Sequence, residues 1–310
     1  MISKLFSQDN QKDHPVLGII CALLAMLLFS VMGLFAKILS TDMSVFAIVF
    51  YRNTIGLVMV GGALLLTGKF YYLKTSRPGA HIVRALVGTT GIILTYNTLA
   101  ILSMSQATVL FFASSLMLPL LSIVLLKEFV GLPRWIAILI GFGGVVIASQ
   151  PIGMVPIIGL VFALSTAFIH ALVGIILRWV GKTEGVVTTT FYFVLIGTLS
   201  LVPLMLFIDS TIPAGKIWMI LMVGVCGGVA QMFLTGAFKF AAPAIISPFT
   251  YTSLIWAAVF DLLIFSSAPT IYVISGGAII IGCSMFILYR ESQNSRKEKI
   301  EAEVKAEVML

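Results

Sequence analysis

Charged side chains inside long apolar runs are the residues of this 310-residue sequence that could do chemistry. Arg52 and Asp261 both lie in such runs, where a lone charge is costly and usually has a partner and a function. If the runs are helices that cross a membrane, both residues lie roughly 8–10 Å below the same surface. We therefore expect an ion pair between them that couples or gates charge movement. The alternatives are a structural pair and an Arg52 side chain that reaches the membrane surface.

A second set of polar and aromatic side chains could bind a small solute. Phenol, amide, hydroxyl and imidazole groups supply hydrogen bonds, and aromatic faces suit a cation or a purine ring. His170 could also carry a coupling proton. Each residue could instead pack or hydrogen-bond between helices, which is the commoner use. The candidate substrate-binding residues are Tyr96, Asn97, Ser114, Ser115, His170, Gln231, Tyr251 and Trp256.

The composition predicts an all-α integral membrane protein. The chain is 60% hydrophobic and 10% charged, so it has too few polar residues to cover a soluble domain. Its apolar runs have about the length that a helix needs to cross a bilayer, and backbone in lipid must be helical. We predict ten spans, at about residues 16–39, 45–67, 80–100, 105–126, 134–150, 156–179, 187–208, 216–239, 245–266 and 270–289.

The sequence also repeats itself. A single shift of the sequence along itself aligns Gly18 with Gly159, Ala22 with Ala163, Gly33 with Gly174, Lys37 with Arg178 and Phe50-Tyr51 with Phe191-Tyr192. Five spans per copy is an odd number, so the second copy must cross the membrane inverted relative to the first. Such halves are related by a two-fold axis in the membrane plane, with a substrate site between them at mid-depth. We assign 1–15 to an N-terminal tail, 16–150 and 151–290 to the two five-helix repeats, and 291–310 to a C-terminal tail.

The basic residues predict the orientation. Sixteen Lys and Arg residues fall on the side shared by both termini, whereas Lys37 and Lys216 alone fall on the opposite side. Cytoplasmic loops carry the excess of Lys and Arg, so we expect both termini in the cytoplasm. The net charge of +7 then belongs to the inner membrane face. It does not indicate nucleic-acid binding.

Several short motifs follow one another along the chain. They are Phe50-Tyr51-Arg52, Ala107 through Pro119, Lys127-Glu128, Pro133-Arg134-Trp135, Gly141-Phe142-Gly143-Gly144 and Leu288-Tyr289-Arg290-Glu291. In this order and spacing they resemble the drug/metabolite transporter superfamily, specifically its EamA-type ten-helix transporters, over about residues 16–290. The stretch Lys74 to Pro78 with His81 and Arg84 is similar to the subgroup that contains bacterial S-adenosylmethionine transporters. The resemblance implies that the fourth and ninth spans line a central cavity. The chain departs from the pattern at Ser266-Ser267, where many relatives carry Gly-Glu.

Together these features predict a secondary transporter in a bacterial inner membrane. We expect alternating access for a small polar organic metabolite, with S-adenosylmethionine or a related amino-acid or purine metabolite as the substrate. A broad exporter of amino acids or drugs, and a pore or membrane scaffold without turnover, are the alternatives. We expect no catalytic residues, no metal and no cofactor, because no nucleophile, metal or nucleotide motif occurs. The expected partners are a small-molecule substrate and the lipid bilayer, without nucleic acid, around a monomer or weak dimer.

Cysteine labelling tests the predicted orientation. In a background without the three natural cysteines, Ser40→Cys and Ser267→Cys should react with an impermeant maleimide added to intact cells. Thr75→Cys should react only after the membrane is opened. Labelling of Thr75→Cys in sealed right-side-out cells would contradict the topology.

Overall fold

The computed structural model describes residues 15–68, 70–126, 131–149, 156–180, 184–240 and 243–308. Regular structure in these ranges is entirely helical, with one 3-10 turn at Phe70–Leu73. The helices are α1 (Pro15–Leu39), α2 (Val45–Thr67), α3 (Pro78–Ile101), α4 (Met104–Phe111), α5 (Ala113–Leu126), α6 (Leu132–Ala148), α7 (Ile157–Val180), α8 (Val186–Met205), α9 (Ile217–Phe240), α10 (Pro243–Thr250), α11 (Thr252–Ile264) and α12 (Ile271–Val308).

Ten crossings account for these helices. Eight segments of the described chain are long and apolar enough to span a membrane, and two shorter apolar segments, Leu132–Ala148 and Pro248–Ile264, complete the set. The prediction of ten membrane helices is therefore confirmed. Two crossings differ from the continuous helices that the hydropathy suggested. A break at Phe112 divides the fourth into α4 and α5, and a break at Tyr251 divides the ninth into α10 and α11. Both residues keep right-handed helical backbone angles, so each break is a kink and not an unwound segment.

Helix packing shows the inverted repeat. Helix α1 packs on α9 and α3 packs on α7, while α2 packs on α8 and α6 on α12. If each of the first five crossings is exchanged with its equivalent among the last five, the set of packed helix pairs stays the same. One polar contact obeys the same exchange: Tyr51 Oη donates to the carbonyl of Ser210 at 2.9 Å, and Tyr192 Oη donates to the carbonyl of Leu73 at 2.8 Å. The fold is thus two inverted five-helix units.

We call the end of the bundle where α1 begins the near end, and the end where α1 finishes the far end. The outer surface between these ends is apolar, with Leu139 67%, Leu199 58% and Leu263 74% exposed. A monomeric soluble protein seldom exposes such extensive apolar surface. Lipid is the environment that suits it.

Helices α6 and α12 pack closely because glycine faces the contact. A methyl group built on Gly276 would lie 2.6 Å from the carbonyl oxygen of Gly144 and 2.7 Å from the amide nitrogen of Ala148. Both contacts are with backbone, which cannot move aside as a flexible side chain can. This is the small-residue packing that joins membrane helices.

Alanine substitutions on α12 test this contact. Gly276→Ala should lower the melting temperature in detergent, since overpacking costs about 1–3 kcal/mol. Gly282→Ala is the matched control, because nothing lies within 4 Å of its added methyl group. Both changes gain the same helix propensity, so the difference between them isolates the steric clash. Equal melting temperatures for the two variants would contradict the close packing.

Candidate functional site

The two interrupted crossings meet inside the bundle. The rings of Phe112 and Tyr251, which stand at the two interruptions, contact each other edge-to-face at 4.9 Å. The hydroxyl of Ser115 hydrogen-bonds that of Ser284 on α12, and the Tyr251 hydroxyl interacts with both serines. The structure therefore brings together two predicted site residues, Ser115 and Tyr251. It adds Ser284, which the sequence analysis did not single out.

At the far end, Asp261 caps the first half of the broken fourth crossing. Its carboxylate accepts hydrogen bonds from the amide of Met104 at 2.9 Å, and from the amide and hydroxyl of Ser105 at 2.7 and 2.6 Å. The side chain is 1% exposed. The first amides of a helix have no partner within the helix and carry its positive dipole end. A buried carboxylate there satisfies both the hydrogen bonds and the charge.

Lys37 completes the same junction from the opposite side. Its ammonium donates to the carbonyls of Leu99 and Leu102, each at 2.6 Å, and lies 5.3 Å from the ring centre of Phe265. The last carbonyls of α3 thus receive a cation, while the first amides of α4 receive the anion of Asp261. Lys37 and Asp261 also interact electrostatically. The turn between α3 and α4 is therefore held by one residue from each half.

The expected ion pair between Arg52 and Asp261 is not formed. Arg52 Nη1 instead donates to Oδ1 of Asn53 at 2.9 Å. Asp261 lies on α11, which packs against α1 and α4, whereas Arg52 lies on α2, which packs against α8 and α9. Equal expected depth along two helices does not by itself bring their side chains together. The identity of the neighbouring helices decides which residues can pair.

A small cavity of about 10 Å³ lies where α2, α8 and α9 meet. It has room for about one water molecule. Gln231, a predicted site residue, lines it together with Arg52. The full lining is Arg52, Gly56, Val60, Thr190, Phe193, Val194, Gly227, Gly228 and Gln231. Tyr96 is 1% exposed and interacts electrostatically with Arg52, so it belongs to this region as well.

His170 forms a separate group near α3 and α4. Its Nε2 lies 3.3 Å from the hydroxyl of Thr95, and its ring contacts that of Phe111 edge-to-face at 5.8 Å. The imidazole retains exposed surface in the isolated chain.

The remaining candidates are Asn97, Ser114 and Trp256. The side-chain amide of Asn97 donates to the carbonyl of Ile93 in its own helix at 2.8 Å. Ser114 on α5 and Trp256 on α11 are half-buried. Of the eight predicted substrate-binding residues, only Gln231 lines the described cavity, and the structure does not gather the eight into one pocket. Which of them contact substrate stays a prediction.

Sequence reasoning missed residues beside Arg52. Asn53, Arg84, Thr89 and Phe193 are all buried there. One signal could have identified Arg84: it lies inside a span, although the charge count assigned it to the cytoplasmic side. Asn53 directly follows Arg52 and could have been found in the same way.

Comparison with known proteins shows which protein family this chain matches. A family model described as the EamA-like transporter family matches the chain twice, over residues 16–150 and 157–289. An S-adenosylmethionine uptake transporter of Rickettsia prowazekii is 26% identical over 89% of this chain and 94% of its own length. A pseudopaline exporter of Pseudomonas aeruginosa is 27% identical over 85% and 93%. A riboflavin transporter of Vibrio cholerae is 26% identical over 93% and 98%.

A solved crystal structure has the same fold. It superposes with a TM-score of 0.62 at 19% identity, covering 88% of this chain and 98% of the other. At that identity the likeness concerns the fold alone. It supports the arrangement of helices described above.

Substitution of Asp261 tests its capping role. Asp261→Asn should destabilise the purified protein by about 1.5–3 kcal/mol, since a buried hydrogen-bonded charge is replaced by a neutral amide. Asp209→Asn is the control, because Asp209 is exposed in a loop. Thermal unfolding in detergent and transport should be measured on both. If Asp261→Asn kept the wild-type melting temperature yet lost transport, the carboxylate would act on substrate or a coupling proton instead.

Proposed function

Because the chain belongs to the EamA-like transporter family, we propose that it is a secondary transporter, and not an enzyme, that moves a small polar organic metabolite by alternating access. The observation that carries this proposal is the inverted repeat with one interrupted crossing in each half. In secondary transporters built from inverted repeats, the substrate site lies at the interface of the repeats near the membrane midplane. We take residues 16–150 and 151–290 as the two moving units.

Polar contacts between the halves occur at both ends of the bundle and could serve as gates. At the far end, Lys216 pairs with Asp42, and Tyr51 bonds the loop before α9. The bond with Lys216 lowers the pKa of Asp42, so this contact persists at neutral pH. Exposed ion pairs of this kind contribute little stability, which suits a contact that must open and close.

At the near end, Glu184 makes the corresponding contacts. Its Oε1 accepts hydrogen bonds from the amide and hydroxyl of Ser76 at 3.1 and 3.0 Å, and its Oε2 lies 3.5 Å from Nε2 of His81. Burial raises the pKa of Glu184, but these hydrogen bonds lower that pKa by more than burial raises it. The net change in the pKa is therefore downward. The hydroxyl of Tyr192 also donates a hydrogen bond to the loop before α3. Alternating access would break one set of contacts while keeping the other.

For the substrate, we propose S-adenosylmethionine or a related amino-acid or purine metabolite. The support is the similarity, over most of the chain, to transporters named for S-adenosylmethionine uptake. Aromatic rings at the interface of the halves, Phe111, Phe112 and Tyr251, would suit a purine or a sulfonium cation. A second candidate is export of an amino-acid-derived metabolite, which the similarity to the pseudopaline exporter favours.

We further propose a bacterial inner membrane as the location, with both termini in the cytoplasm. The excess of Lys and Arg on the termini side supports this orientation. The near end then faces the cytoplasm and the far end the periplasm. The carrier would work as a monomer or weak dimer.

Counterflow in reconstituted vesicles tests the proposal. Vesicles preloaded with unlabelled S-adenosylmethionine should take up external labelled S-adenosylmethionine transiently above equilibrium, because a carrier exchanges solute across its single site. Vesicles loaded with riboflavin or with buffer are the controls. The assay should be repeated with and without a pH gradient. Equilibration without overshoot would indicate a pore, and overshoot only with a different preloaded metabolite would overturn the proposed substrate.

A further inference from the structure

Two buried arginines lie against one aromatic ring inside the bundle. The guanidinium of Arg84 is 4.4 Å from the ring centre of Phe193, and that of Arg52 is 5.7 Å from it. Each arginine is only 5% exposed. They come from α3 and α2 of the first half, whereas Phe193 comes from α8 of the second. The pair therefore lies at the interface of the halves.

Nη1 of Arg52 bonds Oδ1 of Asn53, but three other nitrogens of these guanidinium groups lack a hydrogen-bond partner among the residues that the structure describes. Nε of Arg52, and Nε and Nη1 of Arg84, donate no hydrogen bond within the described chain. The nearby side-chain amide of Asn53 and the hydroxyl of Tyr96 are buried and unsatisfied in the same way. Buried polar groups in proteins are nearly always hydrogen-bonded. A bound polar ligand would satisfy these five groups together.

The two positive charges are also without a counter-ion. In the ranges that the structure covers, the electrostatic partners of Arg52 and Arg84 are Tyr96 and the other arginine, and no carboxylate is among them. Two like charges repel each other in this low-dielectric interior. An isolated buried charge is expensive and is usually paired. An anion between the two guanidinium groups would remove both costs.

Close approach of the backbone makes room for these side chains. A methyl group on Gly88 would lie 2.1 Å from Nη1 of Arg84 and 2.9 Å from the ring of Phe193. One on Gly227 would lie 3.0 Å from Nε of Arg52. The glycines thus leave the space that the guanidinium groups occupy.

We propose that Arg52 and Arg84, with Asn53 and Tyr96, bind the carboxylate of the transported metabolite. The planar guanidinium fork matches a carboxylate with two parallel hydrogen bonds. The inference rests on the proposed transport function and narrows its substrate class to metabolites that carry a carboxylate.

The first experiment needs no knowledge of the substrate. Arg84→Met should raise the melting temperature of the ligand-free protein in detergent by at least about 2 °C, because an unpaired buried charge is replaced by an apolar chain of similar length. Arg290→Met is the matched control, since Arg290 is exposed and also lies near a phenylalanine ring. A lower melting temperature for Arg84→Met would mean that Arg84 is structural, and would overturn the proposal.

The second experiment asks which anion binds. Sodium acetate should raise the melting temperature of the wild-type protein relative to neutral acetamide at the same concentration, and this rise should vanish in Arg52→Gln and in Arg84→Met. Inorganic phosphate is the alternative probe. Stabilisation by phosphate without stabilisation by acetate would overturn the assignment to a carboxylate. An equal rise in wild type and both variants would show that acetate acts elsewhere, which also overturns it.

The third experiment separates this proposal from the proposed function. Labelled S-adenosylmethionine and its decarboxylated form differ only in the carboxylate. The wild-type carrier should prefer S-adenosylmethionine by about tenfold or more, the worth of a charge-assisted hydrogen bond. Arg84→Met should lose that preference. Equal transport of both compounds by the wild type would overturn the carboxylate site. If neither compound were transported while acetate still stabilised the protein through the two arginines, the substrate proposal would fail and the site would stand.

Discussion

The turn between the third and fourth crossings leaves amides at the start of α4 and carbonyls at the end of α3 that have no partner within their own helices. Asp261 and Lys37 satisfy these groups at the turn between α3 and α4, with the anion on the amides of α4 and the cation on the carbonyls of α3. Each charge faces the helix end of opposite partial charge. Since Lys37 belongs to the first half and Asp261 to the second, the same junction joins the halves at the far end. The position of α4, and with it the contact between Phe112 and Tyr251, depends on it.

The buried charges of this protein divide into two kinds. Lys37 and Asp261 have hydrogen-bond partners in the protein, so their charges contribute to the fold. Arg52 and Arg84 have a phenylalanine ring and unused donors, so they cost stability in the absence of a ligand. Proteins tolerate such local costs at functional sites. This difference is the physical basis for assigning the arginines, rather than Asp261, to substrate binding.

The inverted repeat gives the two ends of the bundle related contacts. Tyr51 and Tyr192 occupy equivalent positions and each bonds the loop that enters the third helix of the opposite half. The side chains around them differ, with Lys216 and Asp42 at one end and Glu184 with Ser76 at the other. Relatives named for S-adenosylmethionine, pseudopaline and riboflavin share the family. Similar proteins that are named for different solutes must differ in the side chains that contact the solute, and not in the fold.

The sequence by itself determined the ten crossings and the duplication, because span length and self-similarity are properties of the chain read in order. It also singled out Ser115 and Tyr251 as candidates, and in the structure Tyr251 lies at one helix break and Ser115 three residues after the other. It paired Arg52 with Asp261 wrongly, since depth along a helix does not reveal which helices are neighbours. Only the tertiary structure placed Asp261 on the amides of α4 and brought Arg84 beside Arg52 and Phe193. These contacts join residues far apart in the chain, and the packing of α2, α3 and α8 is what decides them.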